Sequence, residues 1–176
     1  MSVLESLARE HQLFERLLRR LSAALDEQEE EAGRSGVETV LLVLFPAMDR
    51  HEEIEAVVFE TEEYASRPGA LELLRETGLQ HDALSALRKD ILLILSDPER
   101  YSWEHLRSLS GQLIAGLRGH FRMEEQTLWP HYQRTLVRSA GRTAERLARE
   151  KVAELERELE KRGVLIQEFL DRRPPP

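Results

Sequence analysis

Cysteine is absent from this sequence of 176 residues. Without thiols the chain forms no disulfide, no thiolate nucleophile and no cysteine-ligated zinc or iron–sulfur site, so any metal site must be built from His, Asp and Glu. No stretch approaches the roughly 18 apolar residues that a membrane span needs. The N-terminal stretch MSVLESLAREHQLFERLL has acids among its apolar residues, unlike a signal peptide. These absences predict a cytoplasmic protein with no membrane partner.

A basic cluster that could follow a phosphate backbone is also missing. The formal net charge is −8, so we expect no nucleic-acid partner. The chain is 41% hydrophobic and 33% charged, a composition typical of one folded globular domain and not of a disordered chain.

Strand patterns are nearly absent, whereas apolar residues recur at helical spacing along most of the chain. Pro46 falls inside the second helical pattern and predicts a kink or a later start there. The short connections favour an all-α fold, an up-down-up-down four-helix bundle over residues 1–138. The four predicted helices cover about 2–25, 37–64, 71–95 and 102–129.

A different segment occupies 139–176. Its apolar residues lie at alternating three- and four-residue steps, apart from Arg162, among many Glu, Arg and Lys residues. This pattern predicts a fifth, amphipathic C-terminal helix that docks on the bundle or pairs two copies as a homodimer, followed by a frayed Pro-rich end. The apolar positions are Val152, Leu155, Leu159, Ile166 and Phe169.

Each of the four predicted bundle helices carries one His in its apolar stripe. These residues are His11, His51, His81 and His120. Two of the helices add a Glu one turn later, Glu55 and Glu124, which an i, i+4 step places on the same face about 6 Å along the axis. The first two His are 40 residues apart and the last two 39. The chain thus looks like two copies of one unit, a lone His followed by a His–Glu pair.

A single buried His usually has a backbone hydrogen-bond partner. A single Glu in an apolar stripe usually means that the stripe has reached the exposed surface of the helix at that position. Six such residues at one level of a bundle favour another interpretation. Two buried carboxylates without a cation cost several kcal/mol each or stay protonated. A divalent metal removes this cost because it binds neutral imidazoles and ionised carboxylates. A metal-free helical interaction domain is the alternative.

Four His and two Glu exceed what one tetrahedral zinc ion needs. Two bridging carboxylates with two imidazoles per ion describe a dinuclear iron or manganese site. A ferritin-type site would show E-x-x-H on two helices, whereas the spacing here is H-x-x-x-E.

The stretch HFRMEEQTLWP at 120–130 resembles the motif of hemerythrin-like (HHE cation-binding) proteins, and HEEIEAVVF at 51–59 resembles its partner motif. EHQLFERLL and QHDALSALR are similar to the lone-His helices of that family, and the resemblance covers about residues 1–135. It implies a four-helix bundle around an oxo- or hydroxo-bridged, non-haem di-iron centre that meets dioxygen or related molecules. By position, His11 and His51 would hold one iron, His81 and His120 the other, and Glu55 and Glu124 would bridge them.

Oxygen-carrying members have a fifth His one turn from the lone His of the third helix. The candidate positions here hold Thr77 and Ser85, which favours binding, sensing or reducing dioxygen, peroxide or nitric oxide over reversible carriage. Glu52 is the nearest spare acid for a further ligand, and manganese or zinc could substitute for iron. An iron- or oxygen-sensing regulatory module without turnover is the alternative function. We expect an apolar shell around the metals, formed by Phe14, Met48, Leu84, Leu117 and Phe121.

Overall fold

The computed structural model describes residues 2–136 and Glu150. This part of the chain contains helices and no strand, which confirms the all-α prediction there. No helix in it is both long and apolar enough to cross a membrane. The predicted end of the bundle at residue 138 lies outside the described residues. So does the predicted fifth helix, except for Glu150. The elements are α1 Val3–Leu25, α2 Glu30–Phe59, α3 Glu62–Ala65, α4 Ala70–Ser96, α5 Trp103–Met123, a π-helical turn Glu124–Leu128, and α6 Trp129–Leu136.

The helices begin where side chains satisfy their free N–H groups. Ser2 caps α1 through a reciprocal pair, in which its hydroxyl accepts from the Glu5 N–H at 3.2 Å and the Glu5 carboxylate accepts from the Ser2 N–H at 2.7 Å. Ser102 caps α5 by accepting from the N–H of His105. Local sequence therefore determines these two starts.

The predicted bounds of the second helix are wrong at both ends. The helix α2 starts at Glu30, continues through Pro46 and ends at Phe59. Acids in its first turn favour an early start because they face the positive end of the helix dipole. Gly33 is buried against the ring of Trp103, so a residue typical of loops is held in a helix by packing. Thr61 then caps the separate short helix α3.

The four long helices form a closed set of contacts. Helix α1 packs against α2 and α5, and α4 packs against α2 and α5. The buried apolar residues form two clusters, a larger one that includes Phe14, Met48 and Phe121 and a smaller one that includes Leu7, Ile54 and Leu128. Along their helical segments, His11, His51 and Glu124 each lie between a member of the larger cluster and a member of the smaller one. The polar residues thus occupy a layer between two apolar regions.

The contact between α2 and Trp103 can be tested by adding one methyl group. A Cβ at Gly33 would lie 2.7 Å from a ring carbon of Trp103, so we expect Gly33→Ala to lower the free energy of unfolding by about 1–3 kcal/mol through overpacking. Gly111→Ala on α5 is the control. A Cβ there meets no atom within 4 Å, so the substitution should stabilise by about 0.5–1 kcal/mol. Urea denaturation of metal-free protein measures both, and equal stability of Gly33→Ala and parent would contradict the packing described.

Candidate metal centre

The four stripe imidazoles meet in two pairs, each through its Nε2 atoms. The Nε2 atoms of His11 and His51 lie 3.2 Å apart, and those of His81 and His120 lie 3.1 Å apart. Two cis ligands on an ion with metal–nitrogen bonds near 2.1 Å lie about 3.0 Å apart. Each pair therefore has the separation of two nitrogens that bind one ion.

The two stripe carboxylates each direct one oxygen toward each imidazole pair. For Glu124, Oε2 lies 3.1 Å from Nε2 of His11 and Oε1 lies 2.9 Å from Nε2 of His120. For Glu55, Oε1 lies 3.6 Å from Nε2 of His51 and Oε2 lies 3.3 Å from Nε2 of His81. Such an arrangement fits two bridging carboxylates between two ions.

Burial makes this arrangement costly without a cation. Glu55 is 3% exposed and Glu124 is 0% exposed, and within the described chain none of their four carboxylate oxygens has a hydrogen-bond partner of good geometry. Unsatisfied buried acceptors normally lower the stability of a fold. His51, Glu55, His120 and Glu124 offer one ligand atom each within 4.8 Å of one another, and this group could hold a metal ion.

Three of the imidazoles are oriented by partners on their other ring nitrogen. Nδ1 of His11 lies 2.8 Å from the Glu125 carboxylate, and Nδ1 of His51 lies 3.0 Å from the Glu10 carboxylate. Nδ1 of His120 lies 3.0 Å from Oε1 of the Gln80 amide. Because these oxygens accept, each Nδ1 donates, and the Nε2 atom of the neutral ring carries a lone pair directed into the centre.

The partners Glu10 and Gln80 were not predicted from the sequence. Glu10 and Gln80 each precede the lone His of a repeat unit, and Glu125 follows Glu124. The equivalent positions of Glu10 and Gln80 in the two units were the available signal. Glu125 contacts His11 while 49% exposed. The π-helical turn that begins at Glu124 was missed as well; such turns widen a helix locally and are frequent at functional sites.

The pKa values of the ionisable side chains in the centre are shifted because these groups are buried next to one another. Burial raises the pKa of Glu55 well above its ordinary value, and contact with Glu124 adds to this effect. Burial also opposes ionisation of Glu124, but contacts with Glu55 and with neighbouring imidazoles outweigh it and hold its pKa well below the ordinary value. Burial lowers the pKa of His51, yet the surrounding carboxylates raise it overall, to about 10. Without metal, protons supply the positive charge that these acceptors need.

Two cavities border the centre. One is lined by all five residues of the predicted apolar shell, together with Glu52 and three of the imidazoles. The other is lined by Glu55, Thr77, Gly78 and His81 among others. The Thr77 hydroxyl donates to the Leu73 carbonyl, so this position leaves space beside His81 and adds no nitrogen ligand. Glu52 lines the first cavity, and burial raises its pKa.

No protein-family model, curated protein or solved structure matches the chain. Only the residue pattern and the geometry of this centre therefore bear on what the chain does.

The raised pKa of Glu55 predicts the pH dependence of metal-free stability. Folded protein keeps a proton on Glu55 that the unfolded chain releases above its ordinary pKa of 4.5, so this group lowers the free energy of unfolding as pH rises from that value. We expect Glu55→Gln to melt at a higher temperature than the chelator-treated parent at pH 7, with the difference shrinking toward pH 4.5.

The control is Glu53→Gln, the same isosteric change on the exposed face of α2. It should leave the melting temperature unchanged at both pH values. A Glu55→Gln variant that melts below the parent at pH 7 would show that the Glu55 carboxylate is not held in a site that disfavours its charge.

Proposed function

We propose that this protein is a hemerythrin-like four-helix bundle that holds two iron ions and binds, senses or reduces a small oxidant such as dioxygen, peroxide or nitric oxide. One observation carries the proposal: lone pairs of paired imidazoles and of two buried carboxylates converge, 2.9–3.8 Å apart. In a low-dielectric interior such a group of acceptors requires positive charge.

The geometry supports an assignment of the six residues to two positions. His11 and His51 would hold one ion and His81 and His120 the other, because each pair has the nitrogen separation of cis ligands. Glu55 and Glu124 would bridge the positions, since each places one oxygen near each pair. We expect iron because mixed imidazole–carboxylate sites with open positions suit it, and manganese or zinc are the alternatives.

An iron pair would supply electrons through its change of valence and an open position for a small ligand. The residues of this chain would orient the ligands and control access to the centre. Glu10, Gln80 and Glu125 hold three imidazoles in the ligating orientation. The apolar cavity restricts water and admits only small molecules to the side chains of His81 and His120.

A sensing module and a metal-free interaction domain are the competing functions. The sensing module would use the same centre and consume no oxidant beyond one equivalent, so turnover measurements separate it from an enzyme. The metal-free domain would have to keep the centre protonated at neutral pH. Burial and the neighbouring His120 lower the pKa of His81 to about 4, which disfavours a charged His81 at neutral pH.

The experiment is metal analysis of the purified full-length protein, with optical spectra recorded under nitrogen and after exposure to air. We expect about two irons per chain and near-ultraviolet absorption that develops on oxidation. Protein that binds no iron, manganese or zinc after anaerobic incubation with each ion would refute the proposal.

His120→Ala tests the ligand assignment. It removes the nitrogen 3.1 Å from His81 and 2.9 Å from Glu124, so the variant should lose at least one of the two ions and most of the rise in melting temperature that iron gives. His105→Ala, on the exposed first turn of the same helix, should retain both. Two irons in His120→Ala would show that this imidazole is not a ligand.

A further inference from the structure

The two halves of the centre differ in the groups that contact their imidazoles from outside. Glu10 and Gln80 occupy the same position in the two repeat units, immediately before the lone His. Each reaches across to Nδ1 of the His in the partner helix: Glu10 contacts His51 at 3.0 Å and Gln80 contacts His120 at 3.0 Å. A carboxylate in one half is therefore replaced by a neutral amide in the other.

At a second pair of equivalent positions, the first half again has a carboxylate and the second half has an uncharged residue. Glu125 follows Glu124 and contacts Nδ1 of His11 at 2.8 Å. The corresponding residue after Glu55 is Ala56, which lines a cavity together with His81. Within the described residues, Nδ1 of His81 has no hydrogen-bond partner. The first imidazole pair thus has two external carboxylates, and the second has one amide.

Access to solvent differs in parallel with charge. The side chains of His11, His51 and His120 are 5%, 3% and 2% exposed, whereas that of His81 is 20% exposed. Both cavities are lined by His81. The nearby acid Glu52 lies near both pairs, because it lines one cavity together with His51, His81 and His120.

We propose that the two metal positions are unequal, with a tight position at His11 and His51 and a weaker, more accessible position at His81 and His120. A carboxylate on the outer nitrogen fixes the ring, raises its basicity as a ligand and adds negative charge near the cation, and its loss typically lowers metal affinity about 10–100-fold. Arg50 contacts the other oxygen of Glu10 at 3.1 Å and offsets part of that charge, so Glu125 is the larger source of the difference. This inference rests on the proposed function, and Glu10, Gln80 and Glu125 act in it as positioning residues.

The test is an anaerobic titration of chelator-treated, full-length protein with Co²⁺ alone at pH 7, followed by optical absorption against a competing chelator. The parent should bind two ions in two resolved steps. Gln80→Glu gives the weaker half the carboxylate of the tighter one, and we expect it to tighten the weaker step about tenfold. Glu125→Gln should weaken the tighter step about tenfold. A purely structural role would not let Gln80→Glu improve binding.

Matched controls make the same charge changes away from the centre. Gln112→Glu and Glu104→Gln lie on exposed positions of α5 and should leave both steps unchanged. Far-ultraviolet circular dichroism checks that each variant is helical. If Gln80→Glu fails to fold, Ala56→Glu offers a carboxylate to His81 from α2 and should also tighten the weaker step.

Each result decides between the two proposals. The inequality would be overturned, with the metal centre left in place, if the parent bound two Co²⁺ ions with one affinity. The same conclusion would follow if Gln80→Glu or Ala56→Glu bound Co²⁺ with the same affinities as the control Gln112→Glu. Weakening of the weaker step by Glu125→Gln would overturn the assignment of the tight position to His11. No binding of Co²⁺ in the parent would overturn the proposed centre and the inequality together.

Discussion

The structure depends on one electrostatic constraint: the four carboxylate oxygens of Glu55 and Glu124 lie buried among imidazole Nε2 atoms, and within the described residues none of them has a hydrogen-bond donor as partner. Nδ1 of His11 and His51 is directed to carboxylates, which leaves Nε2 lone pairs facing each other and facing Glu124. Only a cation or added protons can stabilise such a group away from water. The two apolar clusters on either side lower the local dielectric and make that requirement stronger.

The lone His and the His–Glu pair recur in the sequence, and this recurrence accounts for the paired arrangement of the centre. Equivalent residues supply the two imidazole pairs and the two carboxylates, so the centre has an approximate twofold arrangement. The π-helical turn occurs after His120 and Glu124, whereas α2 continues as an α-helix through Glu55 to Phe59. The half with the π-helical turn is the one in which both successive acids, Glu124 and Glu125, contact His11.

The six stripe residues were predictable because their placement follows from helical periodicity. An i, i+4 spacing fixes a shared face, and the repeat distances place that face at one level, so His11 and His51 meet although 40 residues separate them. The contacts of Glu10, Gln80 and Glu125 were not predictable in this way, because each crosses between helices and depends on their rotation. The start of α2 was missed because Gly33 disfavours a helix locally, and its packing on Trp103 overrides that preference.

The composition of the two cavities bears on which molecules suit the proposed centre. The route past Phe14, Met48 and Leu84 is apolar apart from Glu52 and the imidazoles, so it favours a small neutral molecule. The cavity lined by Thr77 and Gly78 is also lined by Glu60, whose negative charge disfavours an anion there. A chain with net charge −8 adds to that barrier. His81 lines both cavities. Under the proposed function, a small neutral molecule such as dioxygen, hydrogen peroxide or nitric oxide would therefore suit the centre better than an oxyanion, and we expect it to meet the His81 side of the centre first.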